Sequence, residues 1–299
     1  MIKIANAPCS WGALEFDLET EAPGFQQVLD EIKETGYIGT ELGDWGFMPT
    51  DPQALKRELE DRDLSLLGAF VPVHFVQEAE HEAGVQAALK VAGLMHAAGF
   101  EEAFIVLADN NGTVPTRTQF AGQISPEMGL SAKEWDTFAA GVEKVADAVK
   151  KTYDMRCVFH HHCAGYVETP EELRQLMERT RPDLVGLCFD TGHYAYGGGD
   201  PMEGLRTWRD RIWHVHFKDF SSTVGEAAKA YGWDYFAAVQ NGVFCELGKG
   251  AVNFEAAKGF LLETQYDGWI VVEQDVLPGM GSPKICAENN RQYLKTIGI

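Results

Sequence analysis

Short runs rich in Val, Ile, Leu and Phe recur along the chain, and most are followed by a longer stretch whose apolar residues return every three to four positions. The first pattern predicts strands at Ile2–Ala7, Ile38–Leu42, Ser65–Val73, Ala103–Leu107, Arg156–His162, Val185–Asp190, Ile212–His216 and Trp269–Glu273. The second predicts helices at Gly24–Thr35, Pro52–Arg62, Gly84–Ala98, Ala132–Tyr153, Pro170–Arg179, Met202–Trp208, Phe254–Thr264 and Pro283–Thr296. Asp51 and Thr169 each stand directly before a proline, a start signal for the helices that follow. Strands alternating with helices predict a parallel sheet, and eight is the number at which such a sheet closes into a (β/α)₈ barrel. An open doubly wound sheet is the competing architecture. It would usually carry a glycine-rich turn after its first strand, where this chain has Pro8-Cys9-Ser10-Trp11-Gly12. No Ser/Gly/Pro-rich linker divides the sequence, so one barrel domain is expected over residues 1–299. The connections Ala108–Ser131 and Phe217–Asn253 are long for a compact domain, and in a barrel both would lie on the catalytic face.

Composition narrows the partners. Apolar residues make up 45% of the 299 and charged ones 23%, ordinary for a globular protein with a large core. The formal net charge of −20 repels phosphate backbones and anionic membranes, and no basic patch offsets it. Neither a nucleic acid nor a membrane is therefore an expected partner, while a homo-oligomer is allowed. The N-terminus is broken by polar residues too quickly for a signal peptide, and no apolar run is long enough to span a bilayer. The six cysteines lack metal-finger spacing, and Cys157 and Cys188 fall within apolar strands. A reducing, cytoplasmic setting is the expectation.

The chemistry gathers where the late strands end. His160-His161-His162 closes the fifth, Asp190 the sixth, His214-Val215-His216 the seventh and Glu273 the eighth. For each residue alone, a hydrogen-bonded polar group at a strand end is the simpler account. Four successive strand ends of this kind are better explained together, by a divalent cation that satisfies several imidazoles and carboxylates at once. Nitrogen and oxygen donors without thiolate suit Mn²⁺ or Co²⁺ first, with Zn²⁺ or Fe²⁺ next. Such an ion would polarise a carbonyl. Gly197-Gly198-Gly199-Asp200 lacks the lysine and spacing of a phosphate loop, and Gly248-Lys249-Gly250 reads first as a turn. Cys163 has no defined base partner and is not expected to act as a nucleophile.

With these residues in view, the sequence resembles the xylose-isomerase-like barrel superfamily of sugar phosphate isomerases and epimerases, and within it the myo-inosose (2-keto-myo-inositol) dehydratases. The resemblance rests on Pro8-Cys9-Ser10-Trp11-Gly12, Gly39-Thr40-Glu41-Leu42-Gly43, Phe159-His160-His161-His162, Phe189-Asp190-Thr191-Gly192-His193, His214-Val215-His216-Phe217-Lys218-Asp219, Gly242-Val243-Phe244 and Val271-Val272-Glu273. It implies that Asp190, His216 and Glu273 ligate the metal. The superfamily's fourth ligand is a glutamate at the end of strand five, and this chain departs from that with its three histidines. Alternation puts His160 and His162 on one side, so His162 with His160 as the alternative completes the set, the other contacting substrate. The resemblance also makes His193 a substrate contact. Glu41, His193 and Lys218 are the candidate acid and base residues, a salt bridge from Lys218 to Asp219 or Glu246 being an equal alternative for that lysine. Trp11 and Phe70 read as apolar walls and His74 as a further candidate for the pocket, so that Trp11, His74 and His160 are the expected substrate contacts.

The implied reaction begins with a polyhydroxy ketone chelating the metal and losing the proton next to its carbonyl to give a stabilised enolate. Loss of the β-hydroxyl as water makes the enzyme a carbon–oxygen lyase. Return of the proton elsewhere makes it a sugar or sugar-phosphate isomerase or 3-epimerase. A barrel that binds a sugar without catalysis is a reading from another class. Phosphodiester cleavage, which related barrels also perform, fits poorly with the acidic charge.

Overall fold

The structure is a computed structural model that describes residues 2–12 and 23–299. Its strands are β1 (Lys3–Asn6), β2 (Gly39–Thr40), β3 in two pieces (Ser65–Leu66 and Gly68–Val73), β4 (Phe104–Asp109), β5 (Arg156–His160), β6 (Val185–Asp190), β7 (Ile212–Phe217) and β8 (Trp269–Val272). Neighbours pair in parallel around the ring from β2 through β1, β8, β7, β6, β5 and β4. The break in β3 is where the ring closes. Ser65–Leu66 pairs with β2 while Gly68–Val73 pairs with β4. Leu67 between them donates its N–H to Thr40 and accepts from the N–H of Phe104. The chain is thus a TIM barrel. Its outer helices are α1 (Phe25–Glu34), α2 (Pro52–Glu60), α3 (His81–Ala97), α4 (Ala132–Tyr153), α5 (Pro170–Arg179), α6 (Pro201–Thr207), α7 (Phe254–Glu263) and α8 (Pro283–Thr296). Among the described residues no helix is long and apolar enough to cross a membrane.

Local chemistry explains the helix starts. Asp51, Asp200, Asn253 and Ser282 each accept a backbone N–H from the first turn of the helix they precede. Ser131 and Thr169 go further and form reciprocal capping boxes with Glu134 and Glu172. The glycine run before α6 therefore ends in a helix cap at Asp200.

Every position of β4 and β6 is buried, as a sheet covered on both faces requires. Alternation sorts their side chains. Ile105, Leu107, Leu187 and Phe189 join the large apolar layer shared with the helices. Val106, Val158 and Cys188 fill the barrel with Phe70, Phe104 and Trp213. On this count His160, Asp190 and Glu273 point inward.

One irregularity sets the register of β7. Leu187 pairs with Ile212 but its neighbour Cys188 pairs with His214, so Trp213 is an extra residue in β7. Trp213 and His214 both pack with the barrel interior, His214 lying 5.4 Å from the Phe104 ring. The bulge shifts the alternation so that His214 and His216 face inward and His216 stands level with Asp190. Gly186 makes room for the inserted indole: a Cβ there would lie 2.2 Å from Trp213.

The two long connections carry elements of their own. The first holds a short helix, Pro115–Gln119, and a 3₁₀ turn, Pro126–Met128. The second holds an antiparallel pair, Asp219–Phe220 with Phe244–Cys245, and the helices Ser222–Tyr231 and Tyr235–Gln240. Both pack on the loop after β5 through an apolar cluster that includes Ala121, Cys163, Tyr196, Tyr235 and Phe244. Buried polar tethers fix them. Arg117 donates two hydrogen bonds to Glu172 and one to the Gly165 carbonyl. The Asp219 carboxylate accepts the N–H groups of Gly248, Gly250 and Val252, which makes Gly248-Lys249-Gly250 a turn around it.

Gly186→Ala should force the Trp213 indole to shift and lower stability by about 1–3 kcal/mol, the usual cost of overpacking. Urea unfolding checks this, and an unchanged midpoint would mean that the bulge is not held by this contact.

Candidate active site

Parallel strands of one barrel deliver their last inward residues to one rim, and the register brings four of them together. One ligand atom each from His160, Asp190, His216 and Glu273 lies within 4.8 Å of the others, all buried. His160 Nε2 is 3.6 Å from Asp190 Oδ2, His216 Nδ1 is 3.8 Å from the same oxygen, and His216 Nδ1 is 3.2 Å from Glu273 Oε1. These atoms approach without bonding. Both ring nitrogens of His160, Nδ1 of His216 and Oδ2 of Asp190 are buried with no hydrogen-bond partner. Such unpartnered polar atoms are costly unless something satisfies them. A divalent cation fits the donor set and the need.

The neighbours orient these groups. Asp190 Oδ1 accepts the N–H of His193 at 2.8 Å and caps the turn Thr191–Tyr196, which leaves Oδ2 to face the cluster. His216 Nε2 lies 3.1 Å from Glu41 Oε1, and His214 Nε2 lies 2.7 Å from the same atom. This carboxylate–imidazole contact holds the His216 ring with Nδ1 toward the cluster, an arrangement that commonly orients metal-binding histidines.

Lys218 continues the inward alternation of β7 and is caged by acid. Its Nζ is 3.3 Å from Glu273 Oε2, 3.2 Å from Asp275 Oδ2 and 3.4 Å from His193 Nε2. These carboxylates, and not Asp219 or Glu246, are its partners. Burial opposes its charge, but Asp275 and Glu273 outweigh burial and hold the ammonium well above the usual lysine range. Burial likewise opposes the charge on Glu273, and His216 and Lys218 keep that carboxyl well below its usual range. Burial also works against Glu41, yet His216 and His214 bring it down to about 2. His216 itself is raised well above an ordinary histidine against its burial, with Cys188, Glu273 and Glu41 responsible.

The cluster floors a pocket of about 670 Å³, its open mouth included. Glu41, Phe70, His160, His162, Lys218 and Glu273 line it as expected, together with Asp44, Tyr235 and Asp275. Three sequence expectations need correction. β5 stops at His160, so strand alternation does not extend to His162. His162 turns its Nδ1 to the Cys163 carbonyl at 2.6 Å and lies outside the four-residue group. Trp11 does not face the pocket; its indole N–H donates to Glu31 on α1 at 2.6 Å within the core. His74 pairs with Asn110 and does not line the pocket either. His193 is fully buried beside Lys218, its Nδ1 accepting the Cys163 N–H at 3.3 Å. Asp275 and Tyr235 escaped the sequence reading. Asp275 continues the period of two from Val271 and Glu273, a signal that was present, whereas Tyr235 arrives from a loop helix that strand-end reasoning does not reach.

A closed β/α barrel with a buried His/Asp/Glu cluster at its C-terminal rim is the architecture of an enzyme. The chain belongs to the xylose isomerase-like TIM barrel family, whose sequence pattern matches residues 29–296. It is 32% identical over 298 residues to an inosose dehydratase of Geobacillus kaustophilus (strain HTA426), covering 98% of this chain and 93% of that protein. An inosose dehydratase of Lactiplantibacillus plantarum is 32% identical over 294 residues, covering 98% and 95%. Among solved structures, a probable 3-DHS dehydratase, AsbF, of Bacillus anthracis superposes with a TM-score of 0.70 at 18% identity, covering 99% of each chain. A D-tagatose 3-epimerase-like protein does so with a TM-score of 0.70 at 16% identity, covering 99% and 97%.

The arrangement predicts that chelator-treated protein melts at a higher temperature once Mn²⁺ or Co²⁺ is added. An ion at about 100 times its Kd contributes about 2.7 kcal/mol. His160→Ala should abolish the shift and His162→Ala should retain it, while Glu41→Gln should weaken ion binding about 10–100-fold. A shift that depends on His162 instead of His160 would contradict the assignment.

Proposed function

We propose that the chain is a divalent-metal-dependent carbon–oxygen lyase that removes water from an inosose-like polyhydroxy ketone. The observation that carries this reading is the convergence of His160, Asp190, His216 and Glu273, three of them with unpartnered buried polar atoms, at the base of a pocket lined by acceptors and one ammonium. Likeness to inosose dehydratases over nearly the whole chain supports the substrate class. Mn²⁺ and Co²⁺ suit the donor set best, with Zn²⁺ or Fe²⁺ next. When bound, such an ion supplies Lewis acidity toward a ketone oxygen and its neighbouring hydroxyl.

Charge speaks against a phosphorylated substrate. Glu41, Asp44, Glu273 and Asp275 line the pocket, and among the described residues Lys218 is its only lysine or arginine. That ammonium is already shared between two carboxylates. A phosphate dianion would meet like charge, while a neutral polyol would meet hydrogen-bond acceptors.

The side chains divide the proton work. Lys218 and Glu41 line the pocket with His193 behind, its Nε2 3.4 Å from Lys218 Nζ; the Lys218 ammonium is the donor, and Glu41, held ionised, is the acceptor among the three candidates. In the proposed sequence the carbon next to the ketone gives up its proton to Glu41. The carbon–oxygen bond of the β-hydroxyl then breaks, and the departing oxygen takes a proton from Lys218 and leaves as water. The enol left beside the ketone rearranges to a diketone. An isomerase or 3-epimerase would share the first step but would return the proton to the enolate without breaking a carbon–oxygen bond. The Lys218 donor favours the lyase, and the sequestered ligand group favours catalysis over plain sugar binding.

Incubation with 2-keto-myo-inositol and Mn²⁺ or Co²⁺ should yield a product lighter by one water with diketone absorbance. Lys218→Met should lower kcat about 10²–10⁴-fold, the range for loss of an acid–base group. Isomerised or epimerised product without water loss would move the assignment to the rival reading. No reaction with the ion bound would overturn both.

A further inference from the structure

Beneath the His160, Asp190, His216 and Glu273 cluster the barrel holds one more donor, which that set leaves unused. Cys188 is a free, fully buried thiol on β6, packed inside the barrel with Phe104, Val106 and Val158. A cysteine in such a place serves well as a small apolar filler. Two of its neighbours are not apolar. Cys188 is the register partner of His160 on β5, and its Sγ, one nitrogen of His160 and one nitrogen of His216 all lie within 4.8 Å of one another. Three adjacent strands, β5, β6 and β7, thus bring a thiol and two imidazoles into a second donor set that shares both histidines with the first.

The histidines have the capacity for it. His216 Nε2 is engaged with Glu41, but its Nδ1 has no partner. His160 is 4% exposed, and neither of its ring nitrogens has a partner. A histidine dedicated to one ion is usually anchored by a hydrogen bond at its far nitrogen. Nothing in the chain anchors His160 in that way, so its ring is committed to neither donor set. Cys188 precedes Asp190 by two residues, which puts the thiol one inward layer deeper, about 6–7 Å along the strand.

The two sets differ in hardness. The first offers two nitrogens and carboxylate oxygens, which suit Mn²⁺. The second offers two nitrogens and a sulfur, which suit a thiophilic ion such as Zn²⁺. We propose that Cys188, His160 and His216 form a second, thiophilic metal site whose occupation excludes the first. On binding, the thiol releases its proton to solvent and the thiolate sulfur joins the two imidazoles around the ion. Both histidines are then taken from Asp190 and Glu273. The ion also lies below the pocket, whose lining includes His160 and His216 but not Cys188, and is withdrawn from a bound ketone. Thiophilic ions therefore hold the chain inactive, while Mn²⁺ keeps to the carboxylate set. This inference rests on the cation-binding reading of the two histidines, but not on the inosose reading.

Cd²⁺, a thiophilic ion whose thiolate complexes absorb in the ultraviolet, is the probe for the chelator-treated full chain. One equivalent should raise a thiolate–Cd²⁺ band. In protein preloaded with one equivalent of Mn²⁺ it should release that ion, read from the electron paramagnetic resonance of free aqueous Mn²⁺. Cys188→Ala should abolish the band and weaken Cd²⁺ binding about 100-fold or more, beyond the range for a residue that only supports a ligand. The same variant should keep the Mn²⁺-induced rise in melting temperature, which also shows that it folds, and Cys188→Val repeats the test without leaving a cavity. Cys9→Ala, which removes the thiol that lines the pocket, should keep the band. A band that persists without Cys188 or vanishes without Cys9 overturns the proposal, and so does Cd²⁺ binding beside retained Mn²⁺. Mn²⁺ binding with no thiolate band sinks this site and leaves the carboxylate set standing. A Cys188-dependent band in a protein that binds Mn²⁺ yet turns over no inosose supports this site and sinks the dehydratase reading.

Discussion

A buried lone pair must be satisfied by something, and this constraint governs the rim of the barrel. The inner nitrogens of His160 and His216 and the free oxygen of Asp190 are buried and have no hydrogen-bond partner in the chain. Bringing them together costs free energy that apolar residues at the same strand ends would not. The surrounding chain nevertheless invests in their placement. The bulge at Trp213 puts His216 level with Asp190, and the Thr191–Tyr196 turn occupies one Asp190 oxygen while freeing the other. The Glu41 carboxylate turns His216 to the centre. On the proposed reading, a shared cation would account for all three devices at once.

The same centre organises the ring of groups around it. Glu273 offers one oxygen to the cluster and the other to Lys218, so the ligand group and the candidate proton donor are parts of one network. Asp275 completes the cage and lets an ammonium persist at a fully buried position. Above it, Tyr235 and Phe244 descend from the connection after β7, which Asp219 ties down. The barrel supplies rigid positions, and the long connections supply walls and water exclusion.

Much of this was legible in the sequence because it follows from a period of two. Strands β4 to β8 announce themselves as apolar runs, and Asp190, His216 and Glu273 stand at or just past their ends. Which strand-five histidine joins the cluster was not legible. Choosing between His160 and His162 depends on where β5 stops, and strand ends are set by the hydrogen bond from His162 N–H to Val167 across the following turn. The bulge was hidden for a similar reason. Simple alternation puts Ile212 on the same side as His216, yet Ile212 packs outward because Trp213 takes an extra place. Trp11 and His74 misled because a residue near a strand end has a choice of directions, and Glu31 and Asn110 decided theirs.

Anomalous diffraction at the Mn or Co edge from crystals grown with that ion tests the central claim most directly. The account predicts a single strong peak at the barrel's C-terminal rim, within coordination distance of His160, Asp190, His216 and Glu273. Absence of a peak there, or one ligated by His162 in place of His160, would contradict it.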